Sequence, residues 1–278
     1  MGVKGLYSYL RPYRKSPHLE ETFCIGIDVL SLLYKFRGNL EKIEALLNEY
    51  MEKGFTFVAV FDGKSPEAKQ EEVNERRRKR EDAQKQMIEL KKYLVSNDSS
   101  HLDEKARGLL EKKVQELEMG EAWYVTKSLL QAFKELLRRK TIDIYKAKEE
   151  ADDVLMTLFR IKKIRCVLST DMDFLVMGVE RLWIPADTME EIQLEEVLQS
   201  EDVTLKQLQD IAILCRDNIP TGKAFSWMRY YRSIEPLQQR NSSLLIQYTK
   251  EQLEILRASF TNSKSLEDLL DPIPHEKL

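Results

Sequence analysis

Cys166-Val167-Leu168-Ser169-Thr170-Asp171-Met172-Asp173 is the stretch on which the fold turns: a short, apolar, β-rich run that leads straight into two carboxylates. Three other runs do the same. Cys24-Ile25-Gly26-Ile27 runs into Asp28, Phe57-Val58-Ala59-Val60-Phe61 into Asp62, and Ile142-Asp143-Ile144-Tyr145 leads to Glu150-Ala151-Asp152-Asp153. Short apolar runs separated by helical stretches read as parallel strands of an α/β sheet. In such a sheet the functional crevice lies outside the carboxyl ends of the strands, so these acids are expected at one edge. Converging carboxylates repel unless a cation sits among them. A donor set of hard oxygens without nitrogen or sulfur suits Mg²⁺ or Mn²⁺, and points to metal-assisted chemistry, most simply on phosphate.

The 278 residues suffice for one large α/β domain with an appendage or for two small domains. The chain is 42% hydrophobic, enough for a substantial core, and 33% charged, which suggests long solvated helices. A net charge of −3 does not advertise a nucleic-acid binder, but Lys64 to Lys92 carries ten Lys/Arg against seven Asp/Glu, with Arg76-Arg77-Arg78-Lys79-Arg80 contiguous. Cys24, Cys166 and Cys215 have no CxxC spacing and read as small core residues of an intracellular, reducing compartment. His18, His101 and His275 offer no zinc-type cluster. No apolar run reaches membrane-spanning length, no signal peptide appears, and Leu6 stands where a myristoylation signal needs Ser or Thr.

Residues 23–28 and 55–61 read as the first two strands, joined by a helix whose apolar positions are Leu40, Ile43, Leu46, Leu47, Tyr50 and Met51 and which Gly54 ends. Residues 64–119, rich in Glu, Lys, Arg, Gln and Leu, read as a helical excursion broken at Ser96-Asn97-Asp98-Ser99-Ser100 and at Gly120. A helix over 121–139 packs back on the sheet through Trp123, Leu129, Leu130, Phe133, Leu136 and Leu137. Strands are expected at 142–145, 164–169 and Arg181-Leu182-Trp183-Ile184, with only helices after about 190, near 204–215, 223–232, 249–260 and 264–270. The organisation is thus an α/β core over 1–63 and 120–200, a helical insertion over 64–119, and a C-terminal helical region over 201–278 in which Pro220-Thr221-Gly222 joins two helices.

Each acidic motif has an ordinary alternative. Asp171 and Asp173, two residues apart in an extended segment, face one side and can share a metal, but an Asp turn before a helix looks the same. Glu150-Ala151-Asp152-Asp153 fits a first helical turn that complements the helix dipole. Asp28 and Asp62 are each common as strand-terminal acids; four such events in one chain are what raises the functional reading. The Arg76–Arg80 run is either a solvated helix face or a phosphate-gripping helix, and since five consecutive residues go all round a helix only two or three can meet a given phosphate. Tyr34, at the start of a helix six residues after Asp28, is either core or a platform for a nucleobase.

Together these residues resemble the flap endonuclease/XPG family of structure-specific 5′ nucleases over roughly residues 1–235. The resemblance rests on Met1-Gly2-Val3-Lys4-Gly5-Leu6, Gly26-Ile27-Asp28 followed by Tyr34, Phe61-Asp62-Gly63-Lys64 with Pro66, Glu150-Ala151-Asp152, Thr170-Asp171-Met172-Asp173, and Asp217 in Leu214-Cys215-Arg216-Asp217. It implies a PIN-like α/β fold with a helical arch at 64–119 for single-stranded DNA. It implies a metal site of Asp28, Asp62, Glu150, Asp152, Asp171, Asp173 and Asp217 holding two Mg²⁺, with Mn²⁺ able to substitute, about 4 Å apart. Lys69 and Arg76 would hold the scissile phosphate, Tyr34 would stack on the terminal base, and Gly2, Arg77, Arg80 and Lys223 would join them on DNA. The implied partner is DNA with single-strand/double-strand junctions, bound by a monomer in a nuclear or viral replication setting. Two features depart from the family pattern. Asp217-Asn218-Ile219-Pro220-Thr221-Gly222-Lys223 is shorter than the family's glycine-rich duplex-gripping loop and has one glycine, and Gln252-Leu253-Glu254-Ile255 lacks the paired aromatics of a sliding-clamp motif. The alternatives are a non-catalytic nucleic-acid-binding scaffold of the same fold and an RNA-directed nuclease.

Overall fold

The computed structural model describes residues 3–96, 103–240, 248–261 and 264–271. The strands are β1 (Cys24–Asp28), β2 (Thr56–Phe61), β3 (Asp143–Lys146), β4 (Cys166–Leu168), β5 (Arg181–Ile184) and β6 (Glu190–Gln193), and they form one sheet in the order β3-β2-β1-β4-β5-β6. Every neighbouring pair is parallel except β5–β6. The helices are α1 (Leu6–Tyr9), α2 (Val29–Lys35), α3 (Leu40–Glu52), α4 (Gln70–Val95), α5 (Glu104–Met119), α6 (Lys127–Arg139), α7 (Ala151–Arg160), α8 (Asp173–Val176) and α9 (Leu194–Ser200), followed by α10 (Leu205–Arg216), α11 (Thr221–Tyr231), α12 (Ile234–Arg240), α13 (Lys250–Thr261) and α14 (Leu266–Leu269).

The period-2 alternation of the strands splits the core into two layers. Ile25, Ile27, Phe57, Ala59, Cys166 and Leu168 are buried with Ile43, Leu47, Phe133 and Leu137, which α3 and α6 supply. Val58, Val60, Val167 and Leu182 point the other way, into the layer that holds Val154, Leu155 and Leu158 of α7 and Leu208, Ile211 and Ala212 of α10. With helices on both faces, near-continuous apolar strands are what the geometry demands. Chain order runs outward from β1 in one direction to β3 and in the other through β4, so the topological switch lies between β1 and β4, where Ile27 pairs with Leu168.

Three expectations change. Residues after 190 are not all helical: Glu190–Gln193 forms an antiparallel edge strand, registered Trp183↔Glu191. Its Glu191 is buried and accepts from Arg181 Nε and, at 3.3 Å, from Trp183 Nε1, so a charged residue hides the strand from a hydropathy reading. The helix expected from 121 begins at Lys127, because Thr126 caps it by accepting from Leu129 N–H; Trp123 lies ahead of it, in contact with Tyr34. Tyr34 itself is near the end of α2 rather than its start, since Asp28 caps that helix.

α4 and α5 pack on each other beyond the sheet through Ala83, Met87, Leu90 and Leu117, with Lys91 paired to Glu118. The last described residues return to the sheet. Lys148 N–H donates to Leu269 O at 2.8 Å and Asp271 N–H to Lys146 O at 3.0 Å, buttressing the loop between β3 and α7.

Candidate active site

Four strand ends deliver the acids. Asp28 closes β1 and Asp62 follows β2 directly. Glu150 and Asp152 flank the start of α7, reached from β3, and Asp171 and Asp173 follow β4. Each has a local duty. Asp28 Oδ1 accepts from Ser31 N–H (3.1 Å) and its Oδ2 from Ser169 Oγ (2.7 Å). Asp62 Oδ1 accepts from Ala151 N–H at 2.8 Å, so a β2 acid satisfies an orphan donor at the α7 N-terminus. Asp171 Oδ1 accepts from Asp173 N–H (2.9 Å), and Asp173 Oδ1 from Val3 N–H (2.7 Å). The Asp-turn and helix-capping roles are therefore present, and they aim the remaining oxygens rather than exhaust them.

The acids nonetheless act on one another. Burial pushes the Asp28 carboxyl up to about 6, and the charges of Asp62 and Asp171 add to it against the Ser169 and Ser31 hydrogen bonds. Asp152 is raised well above the usual carboxylate range by burial and then by Asp28, Asp171, Asp62 and Glu150. Asp62 is raised by burial and by Glu150. Asp173 is raised to about 6 by burial and by Asp171, with Val3 N–H and Arg216 opposing. Six of the seven acids thus share one field of repulsion.

Asp217 is placed differently. It follows the last turn of α10, and its carboxylate accepts from the Tyr248 hydroxyl. A cleft of about 690 Å³ that takes in Glu150, Asp152 and Asp173 is lined on this side by its neighbours Arg216 and Asn218 instead.

The cations stand at the rim. Lys69 Nζ donates to Glu150 Oε1 at 2.5 Å; burial lowers its pKa, but Glu150 outweighs this and holds it above the ordinary lysine value. Arg76, two helical turns on and paired with Glu72, lines a hollow with Lys69, Asp62 and Glu150. Arg77 pairs with Glu81 at 3.7 Å, and Arg80 stacks on Tyr124 at 4.6 Å. Tyr34 is 45% exposed, edge-on to Trp123, which makes it surface rather than core. Lys223 lies over Trp227 on α11. Gly2 is outside the described residues.

Sequence reading missed the hydroxyls between the acids. Ser31 Oγ accepts from Thr170 N–H (2.7 Å) and contacts Thr170 Oγ1, while Ser169 Oγ accepts from Asp171 N–H (3.0 Å), so the switch between β1 and β4 is pinned by side chains. Ser169-Thr170 immediately before Asp171 was the available signal. It also missed Lys4 and Arg216, each hidden inside a motif valued for another residue.

Among the described residues no three Asp, Glu, His or Cys side chains stand close enough to hold one ion directly. The donor chemistry still fits a hard cation: all the converging donors are carboxylate oxygens, and burial plus mutual repulsion has left three of them well above their ordinary pKa.

Residues 141–218 match the family described as the XPG I-region, which spans the β3–α7 acids, the β4 acids and Asp217. Flap endonuclease 1 of Entamoeba histolytica is 26% identical over 281 residues, covering 87% of this chain and 70% of that protein. Flap endonuclease 1-A of Sorghum bicolor is 28% identical over 247 residues, covering 77% and 61%. The chain spans between 51% and 70% of the length of such curated relatives. Among solved structures, the catalytic core of Rad2 in complex with DNA substrate superposes with a TM-score of 0.60 at 15% identity, over 94% of this chain and 86% of that one, a likeness of fold.

Proposed function

We propose that this chain is a member of the flap endonuclease/XPG family, a Mg²⁺-dependent, structure-specific nuclease that hydrolyses phosphodiesters at 5′ flaps or junctions in DNA. The single observation that carries this reading is the meeting of six carboxylates from four strand ends, in mutual repulsion, beside Lys69. A scaffold has no use for that repulsion. Asp171, Asp173, Glu150 and Asp152 would hold the divalent ions most directly, and Asp28 and Asp62 through water. When bound, such ions polarise a phosphoryl oxygen and favour ionisation of an attacking water.

The chain's own residues supply the rest. Lys69 is stored on Glu150 and is drawn off it by a scissile phosphate. Arg76 approaches from the same helix face, and the pair stabilises charge that develops on the phosphoryl oxygens. Asp62, bonded to Ala151 N–H, keeps the first turn of α7 in place, so that Asp152 and Glu150 stay aimed at the cleft. Tyr34, exposed beside α2, offers a face to an unpaired base.

A cleavage panel of matched DNA and RNA flaps, gaps and duplexes with Mg²⁺ or Mn²⁺ tests this directly. Cutting of 5′-flap DNA is expected, and Asp171→Ala is expected to abolish it while leaving the fold intact. Survival of activity within tenfold in that variant places the site elsewhere. Cutting of RNA junctions alone supports the RNA-directed reading. Junction binding without any cutting supports the scaffold, which the pairing of Asp217 with Tyr248, away from the residues that line the cleft, favours.

A further inference from the structure

The α10 terminus presents a cation to the acidic cleft. Asp217 caps the end of α10 and does not line the cleft, whereas Arg216 and Asn218 on either side of it do. Asp217 is taken by the Tyr248 hydroxyl, while Arg216 lines the 690 Å³ cleft together with Asp152, Asp173 and Lys69. Its guanidinium lies 5.0 Å from the centre of the Phe260 ring, which fixes its plane without using its N–H donors.

Lys4 comes to the same wall from the N-terminal segment. Its neighbour Val3 is anchored by an N–H bond to Asp173 (2.7 Å), and Lys4 O is anchored by Thr221 Oγ1 (3.0 Å). Its ammonium reaches Asn218 Oδ1 at 2.9 Å and lines the cleft as well. Neither cation is in an ion pair with a described carboxylate, although five acids line the same cavity. The Arg216 charge eases Asp173 without pairing with it, and two cations held by an aromatic ring, an amide and the backbone, with donors to spare, can take a phosphate, bidentately at the guanidinium.

We propose that Arg216 and Lys4 form a second phosphate-binding subsite, in the cleft that Lys69 also lines, that holds a nucleic-acid backbone phosphate next to the one being cut. The subsite rests on the nuclease reading above and adds to it a fixed direction: the strand crosses the acids from the arch side to the α10–α13 side. Lys69 and Arg76 grip the reacting phosphate, and Arg216 with Lys4 sets which neighbouring linkage lies alongside.

The test is binding of a labelled 5′-flap DNA in chelator, followed by fluorescence anisotropy across a salt series, for the wild type, Arg216→Gln, Lys4→Gln and the charge-loss control Arg165→Gln, which lies at the amino end of β4. Each subsite variant is expected to bind roughly three- to tenfold more weakly and to lower the salt slope by about one, the control doing neither. A single uncharged methylphosphonate walked through the strand should, at one linkage beside the cleaved one, weaken the wild type by that same factor and leave Arg216→Gln unaffected. Wild-type affinity and slope in both variants, with wild-type protein still cutting, overturn the subsite alone. Failure of the wild type to bind or cut any junction overturns the nuclease reading and the subsite with it. Loss of thermal stability in Arg216→Gln with unchanged binding assigns Arg216 to counter-charge and overturns the proposal. If Arg216→Gln does not fold, Lys4→Gln and the methylphosphonate walk on wild-type protein decide, absence of a sensitive neighbouring linkage being the overturning result.

Discussion

Neutralising one buried acid should make the metal-free protein more stable. Asp28 is 8% exposed, with its carboxyl raised from the ordinary 3.8 to about 6 by burial and by Asp62 and Asp171. Holding it ionised at neutral pH therefore costs the fold about 3 kcal/mol. In Asp28→Asn the amide oxygen still accepts from Ser31 N–H, and the Ser169 hydroxyl rotates from donor to acceptor. Imperfect geometry should return part of the gain, leaving a net stabilisation of about 1–2 kcal/mol. For a chain of this size that raises the Tm by roughly 2–8 °C. The pH dependence follows from the direction of the shift. A raised carboxyl contributes stability fully below pH 3.8, and loses it as pH rises through about 6. The gap between variant and wild type should accordingly be closed near pH 4, open between pH 4 and 7, and be constant above. Thermal melts in chelator across that range measure it. A variant that is less stable than wild type at pH 8, yet native by circular dichroism, refutes the claim that these acids repel. Adding Mg²⁺ should reverse the order, because the wild type gains more binding energy than the variant.

Other sites give sharper local outcomes. A Cβ on Gly63 would lie 2.2 Å from the carbonyl oxygens of Ala147 and Lys148, so Gly63→Ala should cost about 1–3 kcal/mol and cut the cleavage rate by displacing the loop that carries Glu150; an unchanged denaturation midpoint contradicts that contact. Arg257 bridges the fully buried Asp210 and Glu235, lowering the latter to about 2, so Arg257→Ala should destabilise by about 3–5 kcal/mol in urea; a loss under 1 kcal/mol means the pair is not desolvated. Glu191 keeps a lowered pKa, because Arg181 and the His18 amide outweigh its burial. Its contribution is present above the ordinary 4.5 and lost as pH falls below that, so Glu191→Gln should flatten the acid limb of the stability curve, and parallel curves for the two proteins contradict this. Lys69→Ala should slow single-turnover cleavage of bound substrate more than it weakens binding; the reverse pattern reduces Lys69 to a binding contact.

Where the chain's local pattern decided the outcome, the residues themselves show why. Cys24–Asp28, Thr56–Phe61 and Cys166–Leu168 are apolar on both faces and too short for helices, so parallel strands under two helical layers were the available solution, and the acids that follow them had to gather at one edge. Periodicity also marked the excursion over α4 and α5, since nothing in it could form a buried strand. Tertiary structure decided what periodicity does not encode. Glu190–Gln193 is a strand because Arg181, Trp183 and the His18 amide neutralise Glu191 from other parts of the chain. Ser31, Ser169 and Thr170 became a clasp only when β1 and β4 met. Whether Arg216 or Asp217 looks into the cleft depends on how α10 is rotated by its packing against α11 and α13 and by the Tyr248 hydroxyl. A sequence names the residues of a helix end, but the rotation of that helix is an energy of distant contacts, and it is this that separated six acids from the seventh.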